Sequence, residues 1–194
     1  MDIELKETVV IDDIIPVDLQ DKFHALVINQ SSWFFVQDMS YSNGKANFPS
    51  YGFNMLFKHP KMGIVSQLYE AVSVPIVNSL INKTGINIKE IYANRAFLQV
   101  PLAKQYMKEH NGIHLDIAEP HYACVYYMND SDGDTIVYNQ TIYDTPTGSN
   151  VDVTEHKRVK PKKGRLVMFD GARYHCSSQP TENYRCIINF VLTI

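Results

Sequence analysis

The feature that most constrains the fold is a series of β-rich runs that fills the chain from residue 87 onward. The runs are IYANRAFLQV, HYACVYYMN, DTIVYN, RLVMF and RCIINFVLTI, each bounded by turn residues or loops. Short runs rich in branched and aromatic side chains favour strands over helices. The second half of the chain is therefore predicted to be mostly sheet.

The first half carries helical patterns instead. After an extended Val9–Ile11 and Pro16, one apolar stripe is formed by Leu19, Phe23, Leu26 and Val27. This spacing predicts a helix of about three turns. A second helix is predicted from an apolar residue at every fourth position: Leu68, Val72, Ile76 and Leu80. Gly85 should end it, and Pro75 should bend or split it.

The order of helices before strands predicts a mainly β (α+β) fold in a single domain, 1–194. Residues 1–86 would supply helical support and short strands, and residues 87–194 a jelly-roll core. The net charge of −3 and the pI near 6.1 give no global field that would attract phosphate backbones or anionic membranes. Nucleic acid and membrane are therefore not expected as partners, and the basic run 156–165 is interpreted as a solvated turn between strands.

Three cysteines are too few for a disulfide framework, and the N-terminal residues show no signal-peptide pattern. Reduced thiols and a cytoplasmic location are expected.

A possible metal site begins at His114-Leu115-Asp116. In an extended backbone, alternate residues share a face, so His114 and Asp116 can converge on one point. Two histidines and one carboxylate form a facial triad that leaves positions open on Fe(II). His175 follows a strand and a turn and can supply the third ligand. His110 and His121 flank the motif, but neither has a carboxylate two residues later.

Arg185 stands at the head of the apolar run that closes the chain, ten residues after His175. A lone arginine in that position needs a partner, and a carboxylate ligand could supply one through two hydrogen bonds.

With His114, Asp116, His175 and Arg185 in that order, the chain resembles the 2-oxoglutarate/Fe(II) oxygenase superfamily, and within it the prolyl 4-hydroxylase-like branch. The resemblance covers roughly residues 90–194. Three further stretches carry it: Val125–Asp130 is similar to the branch's Tyr-Leu-Asn-Asp strand, Asp132–Thr135 to its Gly-Gly-Glu-Thr turn, and Val159–Phe169 to its Val-x-Pro-x-x-Gly strand.

The resemblance implies a double-stranded β-helix in which His114, Asp116 and His175 hold Fe(II). It implies that Arg185 pairs with the C5 carboxylate of the cosubstrate 2-oxoglutarate. Tyr127 would bind the same carboxylate, and Tyr106, eight residues before His114, could also reach 2-oxoglutarate. O2 would be the oxidant, ascorbate a candidate reductant, and hydroxylation of a substrate C–H the reaction.

The chain departs from that branch in two places. Many members use lysine where this chain has Arg185, and the turn here reads Gly-Asp-Thr. A peptidyl prolyl residue is the leading substrate candidate, and small molecules stay open. Two other classes also stay open: a cupin-like jelly-roll binding protein with a structural histidine cluster, and a zinc hydrolase with the same ligands.

Overall fold

The computed structural model describes residues 7–30, 32–37, 51–103, 110–144 and 152–194. Within them the elements follow the order β1 (Val9–Ile11), α1 (Val17–Ile28), β2 (Phe34–Val36), β3 (Gly52–His59), β4 (Gly63–Ile64), a π-helical turn (Tyr69–Ser73), α2 (Val74–Thr84), β5 (Glu90–Gln99), β6 (His121–Tyr127), β7 (Thr135–Thr141), β8 (Glu155–Val159), β9 (Leu166–Asp170), β10 (Arg173–Ser177) and β11 (Arg185–Thr193).

The described strands form two antiparallel sheets. The larger has eight strands in the order β1-β9-β6-β11-β5-β3-β2, with β4 paired to β3, and the smaller has the order β10-β7-β8. This is the mainly β, jelly-roll arrangement that the sequence predicts. Strands β1 to β4, from the first half of the chain, extend the same sheet as strands from the second half.

The helices cover one face of the larger sheet, also as predicted. Phe23 and Val27 of α1 and Ile76 and Leu80 of α2 belong to one buried cluster with the sheet residues on that face. Leu26, which the sequence places on the same stripe of α1, is instead 44% exposed.

The second predicted helix is split at the expected place. A π-helical turn ends at Ser73, and Pro75 lies in the first turn of α2, where its missing N–H removes no helical hydrogen bond. Gly85 ends α2 in the left-handed conformation at φ 69°, which glycine adopts without steric cost.

Both faces of the central strand β11 are buried, which explains its nearly continuous apolar sequence. Ile188 and Phe190 point toward the helices, whereas Ile187 lies in a second cluster between the two sheets. Arg185 and Asn189 share the inner face with Ile187 because side chains alternate along a strand. The inner face of the larger sheet is therefore where polar residues meet the core.

The basic run 156–165 is only partly a turn. Its first residues belong to strand β8, which the sequence does not predict, and the chain then turns through Gly164 at φ 78° into β9. Three cations at its C-terminal end are paired: Lys162 and Arg165 contact Asp12, and Lys163 contacts Asp21. The run therefore ties the β8–β9 turn to α1 and the segment before it. In the part of the chain described above, no helix has the length and apolar character to span a bilayer.

Candidate metal and anion site

The predicted ligands His114 and His175 are brought together by backbone pairing. His175 lies in β10, and His114 forms an isolated antiparallel bridge with it. The His114 N–H donates to the His175 carbonyl at 3.0 Å, and the His175 N–H donates to the His114 carbonyl at 3.1 Å. The sequence placed His175 after a turn, whereas the structure shows that it belongs to a strand of the smaller sheet.

The three predicted ligands form one compact cluster. One ligand atom each from His114, Asp116 and His175 lies within 4.8 Å of the others. The imidazole rings are 4.5 Å apart between centroids, and His175 Nε2 is 3.7 Å from Asp116 Oδ2. Donor atoms at these separations can close on one small metal ion by modest side-chain adjustment.

The second nitrogen of each histidine is held by the backbone. His114 Nδ1 is 2.9 Å from the Gly112 carbonyl, and His175 Nδ1 is 3.2 Å from the Arg173 carbonyl. A carbonyl only accepts hydrogen bonds, so Nδ1 must carry the proton in each pair. In the neutral form of each ring, Nε2 is then the nitrogen that can bind a metal, as in many histidine–metal sites.

The carboxylate completes this set of donors. The Asp116 side chain is 3% exposed, and its Oδ2 has no hydrogen-bond partner among the described residues. Burial tends to raise the pKa of Asp116, but the nearby His175, His114 and Arg95 bring the pKa below its ordinary value. A buried carboxylate oxygen without a donor is costly unless a cation binds it. The residues present therefore fit a divalent metal ion.

His175 is in the right protonation state for a ligand. Burial, together with the charge of His114, lowers the pKa of His175 to about 4. The ring is therefore neutral near pH 7, and metal binding requires no proton loss from it.

Arg185 is anchored in the same cavity at the start of β11. Its guanidinium donates to the Gly133 carbonyl at 2.7 Å, to Gln99 Oε1 at 3.0 Å and to Thr135 Oγ1 at 2.9 Å. The residue is 3% exposed, and no carboxylate within the described ranges lies within ion-pair distance. A guanidinium has five N–H donors, so two remain for a ligand. Burial lowers the pKa of Arg185, but a guanidinium still stays charged.

The two tyrosines predicted to bind 2-oxoglutarate are Tyr127 and Tyr106. The Tyr127 hydroxyl donates to Thr135 Oγ1 at 2.7 Å, and Thr135 in turn accepts from Arg185. Burial raises the pKa of Tyr127 to about 12, so the hydroxyl stays protonated. This places Tyr127 behind the Arg185 anchor rather than on the wall of the cavity. Tyr106 lies outside the described residues.

The triad and Arg185 line one cavity of about 400 Å³ between the two sheets. Its other walls come from β2, β3, β5, β6, β7, β10 and β11. The apolar lining includes Val125, Ile187 and Phe97, and the polar lining includes Asn54, Asn111 and Asn189. A volume of this size suits a small-molecule ligand.

Sequence reasoning missed one charged residue of the cavity, Arg95. It lies on β5 with its guanidinium 4.0 Å from Asp116 Oδ1 and 4.7 Å from the centre of the Phe97 ring. The signal was present, because Arg95, Phe97 and Gln99 alternate on one face of a predicted strand. This alternation shows that the three side chains share one face of the strand, but it does not show which face lines the cavity.

The other histidines near the motif do not join the cluster. His110 stacks edge-on against Tyr138, and the buried His121 is hydrogen-bonded through Nδ1 to the Glu119 carbonyl. Cys176 lines the cavity, but its thiol is 3.2 Å from the Tyr138 hydroxyl, and burial raises its pKa to about 11. A protonated thiol is a poor metal ligand.

Comparison with solved structures finds proteins of similar fold. A 2OG-Fe(II) oxygenase family oxidoreductase from Burkholderia pseudomallei superposes with a TM-score of 0.66 at 13% identity, covering 96% of this chain and 84% of that one. The chain has the fold of the 2-oxoglutarate/Fe(II) oxygenases. A Pseudomonas putida prolyl-4-hydroxylase matches with a TM-score of 0.58 at 14% identity, over 96% of this chain and 91% of that one.

The similar structures differ in the reactions their names state. The carbocyclase SnoK from nogalamycin biosynthesis, a non-heme alpha-ketoglutarate-dependent enzyme, matches with a TM-score of 0.66 at 13% identity, over 95% of this chain and 78% of that one. No protein-family model and no curated protein matches the sequence. One fold therefore serves several reactions, and the residues of the site decide which one a given chain performs.

Proposed function

We propose that this protein is an Fe(II)- and 2-oxoglutarate-dependent oxygenase that hydroxylates a substrate C–H bond. One observation carries the proposal: a buried cluster of two histidines and one aspartate shares a cavity with a buried arginine that has no carboxylate partner among the described residues. The cluster fits a divalent metal, and the arginine fits an anionic ligand. A facial triad with open positions is typical of non-heme Fe(II) oxygenases.

The two charged features match the two ends of 2-oxoglutarate. His114, Asp116 and His175 would hold the iron, and Arg185 would pair with the distal carboxylate of the cosubstrate through its two remaining N–H donors. When bound, iron and 2-oxoglutarate would activate O2: one oxygen atom would go to the substrate, and the other would go to succinate as 2-oxoglutarate loses CO2.

The protein's own residues then do three things. Gly133, Gln99 and Thr135 fix the guanidinium plane of Arg185 in advance, so little entropy is lost when an anion binds. The backbone carbonyls of Gly112 and Arg173 fix the orientation of the histidine rings. The apolar walls, including Val125 and Ile187, exclude water from the reacting groups.

The similar structures favour two classes of substrate for a first test. A prolyl-4-hydroxylase among the similar structures supports testing peptidyl proline first, while the carbocyclase supports testing small molecules as well. No base beside the metal is required for the proposed reaction, whereas a zinc hydrolase would need one and would leave Arg185 without a role.

The test is succinate formation from 2-oxoglutarate with Fe(II), O2 and ascorbate, across panels of proline-containing peptides, amino acids and other small acids. We expect at least one panel member to raise succinate release above the substrate-free rate. His175→Ala and Asp116→Ala should abolish that release, and Lys22→Gln, a surface change, should not. Succinate release that persists in both ligand variants would refute the assignment of the site.

A further inference from the structure

Arg95 is a second cation on the cavity wall, beside the triad residue Asp116 and further along β5 than Gln99, the partner of Arg185. On the inner face of the larger sheet, Arg185 pairs with Gln99, and Asn189 pairs with Arg95. Gln99 and Arg95 are four residues apart on β5, which corresponds to about 13 Å along the strand. A row that contains Phe97 and Ile187 separates them. The two arginines therefore start from positions two cross-strand rows apart on the cavity wall.

The Arg95 guanidinium is held in position, but its hydrogen-bond donors have no partners among the described residues. It packs over the Phe97 ring at 4.7 Å, which limits its rotation. Its nearest carboxylate oxygen, Asp116 Oδ1, is 4.0 Å away, beyond hydrogen-bond distance. No described residue accepts a hydrogen bond from it, and the side chain is 42% exposed. Its five N–H donors are therefore available to a ligand or to solvent.

The charges in the proposed complex leave Arg95 without compensation. The two positive charges of Fe(II) and the one of Arg185 are balanced by Asp116 and by the two carboxylates of 2-oxoglutarate. Arg95 then contributes an unbalanced positive charge next to the metal. An anionic group at this point would gain from both the charge and the fixed fork of donors.

The neighbours of Arg95 are suited to a small polar group. Asn189 lies directly opposite on β11, and Asn54 lies on the adjacent strand β3, opposite Phe97. Both line the cavity. Their amides can donate further hydrogen bonds to the oxygens of an anion held by Arg95, whereas an apolar substrate would offer these three side chains no hydrogen-bond acceptor.

We propose that Arg95 is a specificity-determining residue that binds a carboxylate of the substrate and thereby directs one of its C–H bonds to the metal. The inference rests on the proposed oxygenase function and goes further, because it names the chemistry of the substrate. The carboxylate could be the free acid of a small molecule or the acidic side chain of a peptide.

A simple probe tests the site without knowledge of the substrate. Zn(II)-loaded, 2-oxoglutarate-saturated protein is titrated with sodium propionate or with propionamide, a neutral molecule of nearly the same shape, at ionic strength matched with NaCl. The readout is the ¹⁵N Nε–H resonance of Arg95, assigned by its loss in Arg95→Gln. We expect a saturable shift with propionate and binding of propionamide weaker by about tenfold or more.

The variants separate an anion site from mere support of Asp116. Propionate should raise the melting temperature of the wild-type protein. Arg95→Gln should abolish this increase, and Arg95→Lys should keep part of it. Zn(II) and 2-oxoglutarate affinities should change by less than about threefold in Arg95→Gln. Two further ligands distinguish the sources of the carboxylate. Tighter binding of acetyl-alanine, which has a terminal carboxylate, indicates a free acid. Tighter binding of acetyl-glutamyl-amide, which has only a side-chain carboxylate, indicates an acidic side chain of a peptide.

Four results would overturn the proposal: no propionate binding to wild-type protein, equal binding of propionamide, propionate protection that persists in Arg95→Gln, or a loss of Zn(II) affinity in Arg95→Gln as large as in Asp116→Ala. Failure of the oxygenase proposal looks different. A protein that binds Zn(II) and propionate but never 2-oxoglutarate would refute the proposed function and leave the anion site standing.

Discussion

Replacement of Arg185 by glutamine should weaken 2-oxoglutarate binding by a factor of a hundred or more while metal affinity changes little. Arg185 has two N–H donors beyond those used by Gly133, Gln99 and Thr135. A hydrogen bond to a charged partner contributes about 1.5–3 kcal/mol, so two contribute about 3–6 kcal/mol. This corresponds to roughly a hundredfold to ten-thousandfold in Kd.

The same substitution should also cost some stability. It leaves three buried acceptors without their donor, and each unsatisfied group costs about 1–3 kcal/mol. The loss is partly offset because a buried charge without an ion pair is removed at the same time. We expect the free energy of unfolding of the ligand-free protein to fall by about 2–4 kcal/mol, which a two-state domain of this size should tolerate.

The assay is isothermal titration of Mn(II)-loaded protein with 2-oxoglutarate, together with a separate Mn(II) titration and circular dichroism to show that the variant is folded. Arg185→Lys keeps the charge without the planar fork and should fall between wild type and Arg185→Gln. Lys22→Gln removes one surface charge and should match wild type. A 2-oxoglutarate Kd in folded Arg185→Gln within about threefold of wild type would refute the reasoning.

Three further predictions concern the support of the site and the fold. Tyr127→Phe removes a buried hydroxyl behind the Arg185 anchor, so it should lower the affinity for 2-oxoglutarate by less than about tenfold. A larger loss of affinity in calorimetry would indicate direct contact between Tyr127 and 2-oxoglutarate. Asp12→Asn should lower stability by less than about 1 kcal/mol at pH 7, because Asp12 is 41% exposed. Its ion pairs lower the pKa of Asp12 to about 2; the stabilisation is therefore full above pH 4 and lost as the pH falls toward 2, and urea titrations of wild type and variant should converge there. Gly164→Ala should destabilise more than Gly85→Ala in urea, because both have positive φ but only the first would press a methyl group into the Gln20 side chain; equal losses would contradict this.

Much of the sheet and both helices could be predicted from local pattern. The run RCIINFVLTI corresponds to β11, and the four-residue repeat ending at Gly85 corresponds to α2 with its preceding turn. Strands β8 and β10 were not predicted, because Glu155–Val159 is rich in charge and Arg173–Ser177 is short and polar. Their pairing with β7 is a long-range property that no local window contains.

The metal site could be predicted further than the rest of the cavity. His114 and Asp116 were paired by alternation, and His175 and Arg185 by their order in a resemblance to a known superfamily. Arg95 was missed, because its role depends on which face of β5 meets β11 and the cavity, and register is a tertiary property. For Tyr127 the sequence predicted a residue near the 2-oxoglutarate site, but the direction of its hydroxyl group was not predictable. In the structure the hydroxyl donates to Thr135.

The most direct test of the central claim is the visible absorption of the protein with Fe(II) and 2-oxoglutarate in the absence of O2. Chelation of the iron by 2-oxoglutarate at the triad should produce a weak metal-to-ligand charge-transfer band that neither component gives with the protein alone. The band should be absent in His175→Ala, and in Arg185→Gln it should require at least about a hundredfold more 2-oxoglutarate. Folded wild-type protein that binds Fe(II) but shows no such band at saturating 2-oxoglutarate would contradict the account.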